Sequence, residues 1–138
     1  MKKIIVAAAL IATLGVVGQA NAVCIELVGF CDQIEVNLGV NMGTGIQLYG
    51  DWDFTCAGAP LAQMTGLYAG GHAVIGTWWE ASGPFAWQFD FNVGTMTFDM
   101  YQILPGGAPV VWIGAAPFAF VPGPCPFAAP GAPIAYVN

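Results

Sequence analysis

Between Ile34 and Met42 an apolar side chain falls on every second residue. Ile34, Val36, Leu38, Val40 and Met42 alternate with Glu35, Asn37, Gly39 and Asn41. After Gly43-Thr44-Gly45 the alternation resumes, with Ile46, Leu48, Trp52, Phe54 and Cys56 set against Gln47, Tyr49, Asp51, Asp53 and Thr55. A period of two sorts side chains onto the two faces of a pleated strand, whereas a helix would scatter both sets around its axis. Glycine on either side of Thr44 suits a tight reversal. Residues 34–56 therefore read as a β-hairpin in which Met42 faces Ile46.

The same logic predicts a second hairpin. Phe85, Trp87, Phe89 and Phe91 share one face, opposite Ala86, Gln88, Asp90 and Asn92. Beyond Asn92-Val93-Gly94-Thr95 the apolar positions become even: Met96, Phe98 and Met100 against Thr97, Asp99 and Tyr101. A change of parity across a glycine-containing break marks a turn. Residues 73–80 and 109–121 are strand-like and bounded by Gly or Pro. Leu61 to Tyr68 admits two readings. The spacing of Leu61, Met64 and Tyr68 behind Pro60 is helical, while Gly66 and Gly70-Gly71 favour a short strand and a turn. From Pro117 onward proline recurs at 122, 124, 126, 130 and 133. Proline removes ladder donors, so this part should lie extended across the body rather than inside a sheet, with 121–138 as a Pro/Gly/Ala-rich tail. The class expected is all-β, an antiparallel barrel or sandwich of about seven or eight short strands.

Charge narrows the setting. Of the 138 residues only Lys2 and Lys3 are basic. They precede an apolar run, Ile4 to Val17, and an A-x-A site at Ala20-Asn21-Ala22, the anatomy of a secretory signal. Residues 1–22 are expected to be a signal peptide, and 23–138 a single mature domain. The apolar run is short for a transmembrane helix of about 20 residues. Val23 is larger than the residue that precedes a lipidated cysteine, so ordinary cleavage after Ala22 is expected rather than lipidation of Cys24. The destination is the periplasm, the outer membrane or the extracellular medium.

The mature chain then holds Glu26, Asp32, Glu35, Asp51, Asp53, Glu80, Asp90 and Asp99, with His72 and no Lys or Arg. Nucleic acid, anionic lipid headgroups and phosphorylated substrates all call for cationic groups, and none is present. Cys24, Cys31, Cys56 and Cys125 make an even set in an oxidising compartment, which reads as two disulfides. A zinc site would want closely spaced Cys pairs and several His. With Thr44 at the centre of the first turn, Cys56 falls beside Cys31, with the parity off by one. A bulge between Asp32 and Ile34 would correct it, pairing Cys31 with Cys56 and Cys24 with Cys125. Cys24–Cys31 with Cys56–Cys125 is the other arrangement considered.

Candidate chemistry is sparse. Ser82 and His72 both sit in turn-like sequence; Ser82 lacks the flanking glycines of a nucleophile elbow, and His72 is the only histidine. Asp51 and Asp53 share a strand face. That spacing would serve a hydrolase using paired carboxylates or a weak calcium site, and solvated edge charges are the simpler role. No cofactor is implied. Trp52 and Trp87 lie on apolar faces and should be buried. Adjacent Trp78 and Trp79 must point to opposite faces, so one of them, with Glu80, is the candidate contact surface. Because 57% of the residues are apolar, more hydrophobic surface is expected than one small core hides. The expectation is an exported non-catalytic protein that acts through its surface, by self-association or by binding an envelope partner. The alternatives are a small outer-membrane β-barrel, the one case in which it would enter a membrane, and a ligand-binding barrel for an apolar or glycan ligand.

Overall fold

The computed structural model describes residues 22–59, 62–77 and 86–134. The segment up to Asn21, expected to be a signal peptide, lies outside them, as do Trp78, Trp79, Glu80 and Ser82. Eight strands follow one another: β1 (Val23–Leu27), β2 (Gln33–Asn41), β3 (Ile46–Asp53), β4 (Ala62–Ala69), β5 (His72–Thr77), β6 (Ala86–Asn92), β7 (Thr97–Ile103) and β8 (Val110–Pro122). Each pairs antiparallel with the next, and β8 returns to β1 through Val23↔Pro122 and Leu27↔Phe118. The result is a closed up-and-down barrel, so of the two architectures the pattern allowed the structure adopts the barrel. No helix occurs among the described residues.

Alternation puts the apolar set inside. Ile34, Leu48, Trp52, Phe89, Phe91 and Met100 are fully buried. The aromatic rings fill the lumen against one another. Trp52 meets Phe89 edge-on at 5.1 Å, Phe89 stacks on Phe91 at 5.6 Å, and Phe91 meets Phe118 at 5.0 Å. Offset and edge-to-face rings at these separations attract beyond the area they bury.

Two of the hairpins close by devices visible in their sequence. Between β4 and β5, Gly70 (φ 59°) and Gly71 (φ 81°) form a two-residue loop inside the pair Ala69↔His72. Left-handed φ at both central residues matches the twist of the strands, which settles 62–69 as strand rather than helix. Between β6 and β7, Asn92 Oδ1 accepts the N–H groups of Gly94 (3.0 Å) and Thr95 (3.2 Å).

The first hairpin differs from its expected register. Leu38 faces Leu48 and Gln33 faces Asp53, with a shift between Leu38 and Asn41. Asn41 Oδ1 accepts the Gly43 N–H at 3.0 Å, and the Met42 N–H donates to Gly45 at 2.8 Å. That wider turn consumes Met42, which is 59% exposed instead of inward. The bend that brings Cys56 to Cys31 is also not where alternation placed it. Gln33 pairs regularly, and the ladder ends after Asp53, where Thr55 (φ 120°) and Cys56 (φ 55°) leave extended geometry. The bonded pairs are Cys31–Cys56, with Cα atoms 5.7 Å apart, and Cys24–Cys125, at 4.9 Å.

Pro117 and Pro122 overturn the expectation that the chain leaves the sheet at 117. Both belong to β8, which is bonded on both sides. Proline lacks only the donor. The Pro117 carbonyl still accepts from Val28 N–H at 3.1 Å, and Phe118 N–H donates to Met96 at 3.1 Å. The strand takes up the misfit through register shifts around Met100, with Ala115 at φ 52°.

Beyond β8 the chain straps the outer faces of β1 and β2. Cys125 is tied to Cys24, Ala132 bridges Phe30, and Ile134 is fully buried in the core cluster.

Candidate functional site

If the inward positions are apolar, the alternate positions carry the carboxylates outward. Register sets them in pairs: Glu35 faces Asp51, and Asp90 faces Asp99. Like charges directly across a ladder repel, and no Lys or Arg follows Lys3 to separate them. Hydrogen bonds relieve each pair instead. Glu35 Oε1 accepts the Cys125 N–H and Asp99 Oδ1 accepts the Ala115 N–H, both at 2.8 Å. Asp90 Oδ1 lies 2.7 Å from His72 Nδ1.

The His72–Asp90 pair has the acid–imidazole contact that a triad also uses. Among the described residues Asp90 is the side-chain partner of the His72 ring, and no hydroxyl of these residues is bonded to it. Asp51 and Asp53 do share the outer wall, yet their roles diverge. Asp53 is buried, and its two oxygens accept Ala57 N–H (2.8 Å) and Gly58 N–H (3.1 Å), capping the loop after β3. Asp51 stays half-buried opposite Glu35. Cys31, Asp32 and Cys56 cluster at metal-ligand spacing, but both sulfurs are spent on each other and offer no thiolate.

Asp32 occupies the closed end of the barrel and is fully buried. Its oxygens accept Trp52 Nε1–H at 2.8 Å and Ile134 N–H at 2.7 Å, so one carboxyl joins the core to the strap. Burial pushes its pKa from 3.8 up to about 6, although both hydrogen bonds pull the other way. A carboxyl raised in the folded state stabilises it below the unfolded value, near 3.8, and that contribution is lost as pH rises through about 6. Urea unfolding should accordingly show a gain of about 2.5 kcal/mol between pH 7.5 and pH 4 from this group. Asp32→Asn should flatten that slope. An identical pH slope in the variant would assign the effect elsewhere.

Two concavities mark the outer surface. A groove of about 520 Å³ crosses β3 to β6, lined by Gln47, Thr65, Leu67, Val74, Gly76 and Gln88 among others. A cleft of about 380 Å³ lies between the β1–β2 turn, Ala119 of β8 and Ala129–Gly131 of the strap, and it contains Glu26. Gln33 is wholly buried beside that cleft. Its Nε2–H donates to Glu26 Oε2 at 2.8 Å, while its Oε1 has no partner.

The proposed contact residues Trp78, Trp79 and Glu80 fall outside the described segments. His72–Asp90, Asp32–Trp52 and Glu26–Gln33 had no signal in sequence spacing. Each joins residues that only strand register or the returning strap brings together. No protein-family model, curated protein or solved structure matches the chain.

Proposed function

We propose that the chain is an exported, non-catalytic scaffold that works in water, braced by two disulfides, and acts through its outer wall as an interaction or structural component of the envelope or extracellular matrix. The observation that carries this reading is the polarity of the barrel. Trp52, Phe89, Phe91 and Phe98 fill the inside, and Glu35, Asp51, Asp90 and Asp99 stand outside in cross-strand pairs. A lipid-facing barrel carries the opposite pattern, since charge on its outer belt is costly. A hollow binding barrel would need the space that these rings occupy.

The disulfides fit an oxidising compartment. Exposed Val40, Met42, Val110 and Val111 supply apolar surface for a partner or a second copy. A second reading, in which the surface takes an uncharged polar ligand such as a glycan, is favoured by the groove on β3 to β6. Its amide and hydroxyl groups come with no carboxylate among the lining residues.

Cell fractionation tests the main reading. The protein is expected among exported proteins released without detergent, as soluble oligomers or sedimenting polymers, whereas a soluble monomer would favour the ligand-binding reading. Recovery only from detergent-extracted outer membrane, with gel mobility that changes on heating, would overturn it.

A further inference from the structure

We propose that the cleft beside Glu26 receives the ammonium group of a lysine side chain on a basic partner protein, a role that rests on reading the barrel as a surface-acting scaffold. Glu26 is the sole charged residue among those lining a cleft otherwise walled by Val28, Phe30, Ala119 and Pro130. An acid set in an apolar recess keeps more of its attraction for a cation than one on an open face, because less water screens it. The butyl stem of lysine matches the walls while its head reaches the carboxylate.

The fold spends a buried side chain on fixing that acid. Gln33 sits between Glu26 and Asp53 in the ladder, is fully buried, and gives its N–H to Glu26 Oε2. Its own carbonyl oxygen is left without a donor. A buried amide kept in place with an unsatisfied acceptor has a cost, and what it secures is the orientation of Glu26, whose carboxylate lines the cleft. An ammonium brings three donors and no acceptor, enough for the remaining oxygen of Glu26 and for a neighbouring carbonyl.

Lysine suits the cleft better than arginine, because its compact head needs one free carboxylate oxygen and its flexible apolar stem matches the walls, whereas the broad planar guanidinium is best used where a second acceptor stands beside the carboxylate. A calcium ion would want several oxygen ligands, and the cleft supplies a single carboxylate. No lysine follows Lys3, so the cation must come from a partner, and the net negative charge of the barrel would steer a basic one toward it.

Amide-resolved NMR of the mature protein at low ionic strength tests this with a blocked tripeptide, glycine-lysine-glycine. Its norleucine analogue keeps the stem and lacks the charge. Lysine peptide should shift the amides of Val28 to Phe30, Ala119, Ala129 and Gly131. The norleucine peptide, and Glu26→Gln with the lysine peptide, should each bind about tenfold more weakly, while Asp99→Asn on β7, outside the cleft lining, changes affinity less than about twofold. Glu26→Gln keeps an oxygen for the Gln33 N–H, so the cleft retains its shape. Equal binding of the two peptides, equal effects of the two variants, or shifts spread over Asp51, Asp90 and Asp99 would each overturn the assignment. The norleucine comparison needs no variant and therefore survives a folding defect in Glu26→Gln. These outcomes leave the scaffold reading intact, because that reading stands or falls on fractionation.

Discussion

Replacing Trp52 by alanine should remove about 3 to 5 kcal/mol through the lost ring and the cavity it leaves. A further loss of about 1 to 3 kcal/mol should follow from stranding the Asp32 oxygen that Trp52 Nε1–H satisfies. Trp52 is fully buried, touches Phe54 at 5.3 Å and Phe89 at 5.1 Å, and lies beside the strap anchor. The combined loss is comparable to the whole stability of an ordinary domain, about 5 to 15 kcal/mol, so the variant should be largely unfolded or poorly recovered. Trp52→Phe separates the two contributions. It retains most of the packing, forfeits the donor, and should make stability fall more steeply as pH rises, because the carboxylate loses a bond that favours its charged form. Equal urea midpoints for the two variants would mean that the ring is not packed as described.

Removing the Cys24–Cys125 bond in a Cys24→Ser, Cys125→Ser double variant should cost up to about 4 to 5 kcal/mol on chain-entropy grounds. The bond closes a separation of 101 residues. The Cys31–Cys56 bond closes 25 residues, and its removal should cost about 1 kcal/mol less on the same grounds. The larger loss has a structural counterpart. Proline gives the strap few donors of its own, and it is held by that disulfide, by Glu35 on Cys125 N–H and by Asp32 on Ile134 N–H. The double variant should therefore also become open to chymotrypsin at Phe127, with the barrel strands still formed by circular dichroism. A urea midpoint and a cleavage rate matching those of the parent protein would show that the strap is held by other means.

Alternation alone identified most of the strands and their inward faces. The period is two wherever one face meets an apolar core and the other meets water, and a closed barrel imposes that contrast on each strand. Trp52 and Trp87, assigned inward from parity, are buried. Gly70-Gly71 contained the information for the β4–β5 turn as well, because few sequences tolerate two consecutive left-handed residues. Where the reading slipped, a local device outweighed the period. Asn41 bonds to its own turn and widens the first hairpin, and Thr55 and Cys56 end the β3 ladder early. At Pro117 the rule that proline avoids sheets applied to its missing donor and overlooked its carbonyl.

The sequence by itself determined the all-β class, the inward set of apolar residues and the absence of Lys and Arg after Lys3, since each depends on residue identity and short-range spacing. Only the tertiary structure decided that the sheet closes through β1 and β8, that Asp90 meets His72, and that Gln33 holds Glu26 in the lining of a cleft. It also decided the character of Asp32, which is one acid among eight in the sequence. In the fold it is buried between Trp52 and a residue 102 positions later, where loss of water raises its pKa to about 6. Closure and burial are sums over long-range contacts, and no local pattern in the chain encodes how far a carboxyl will end up from solvent.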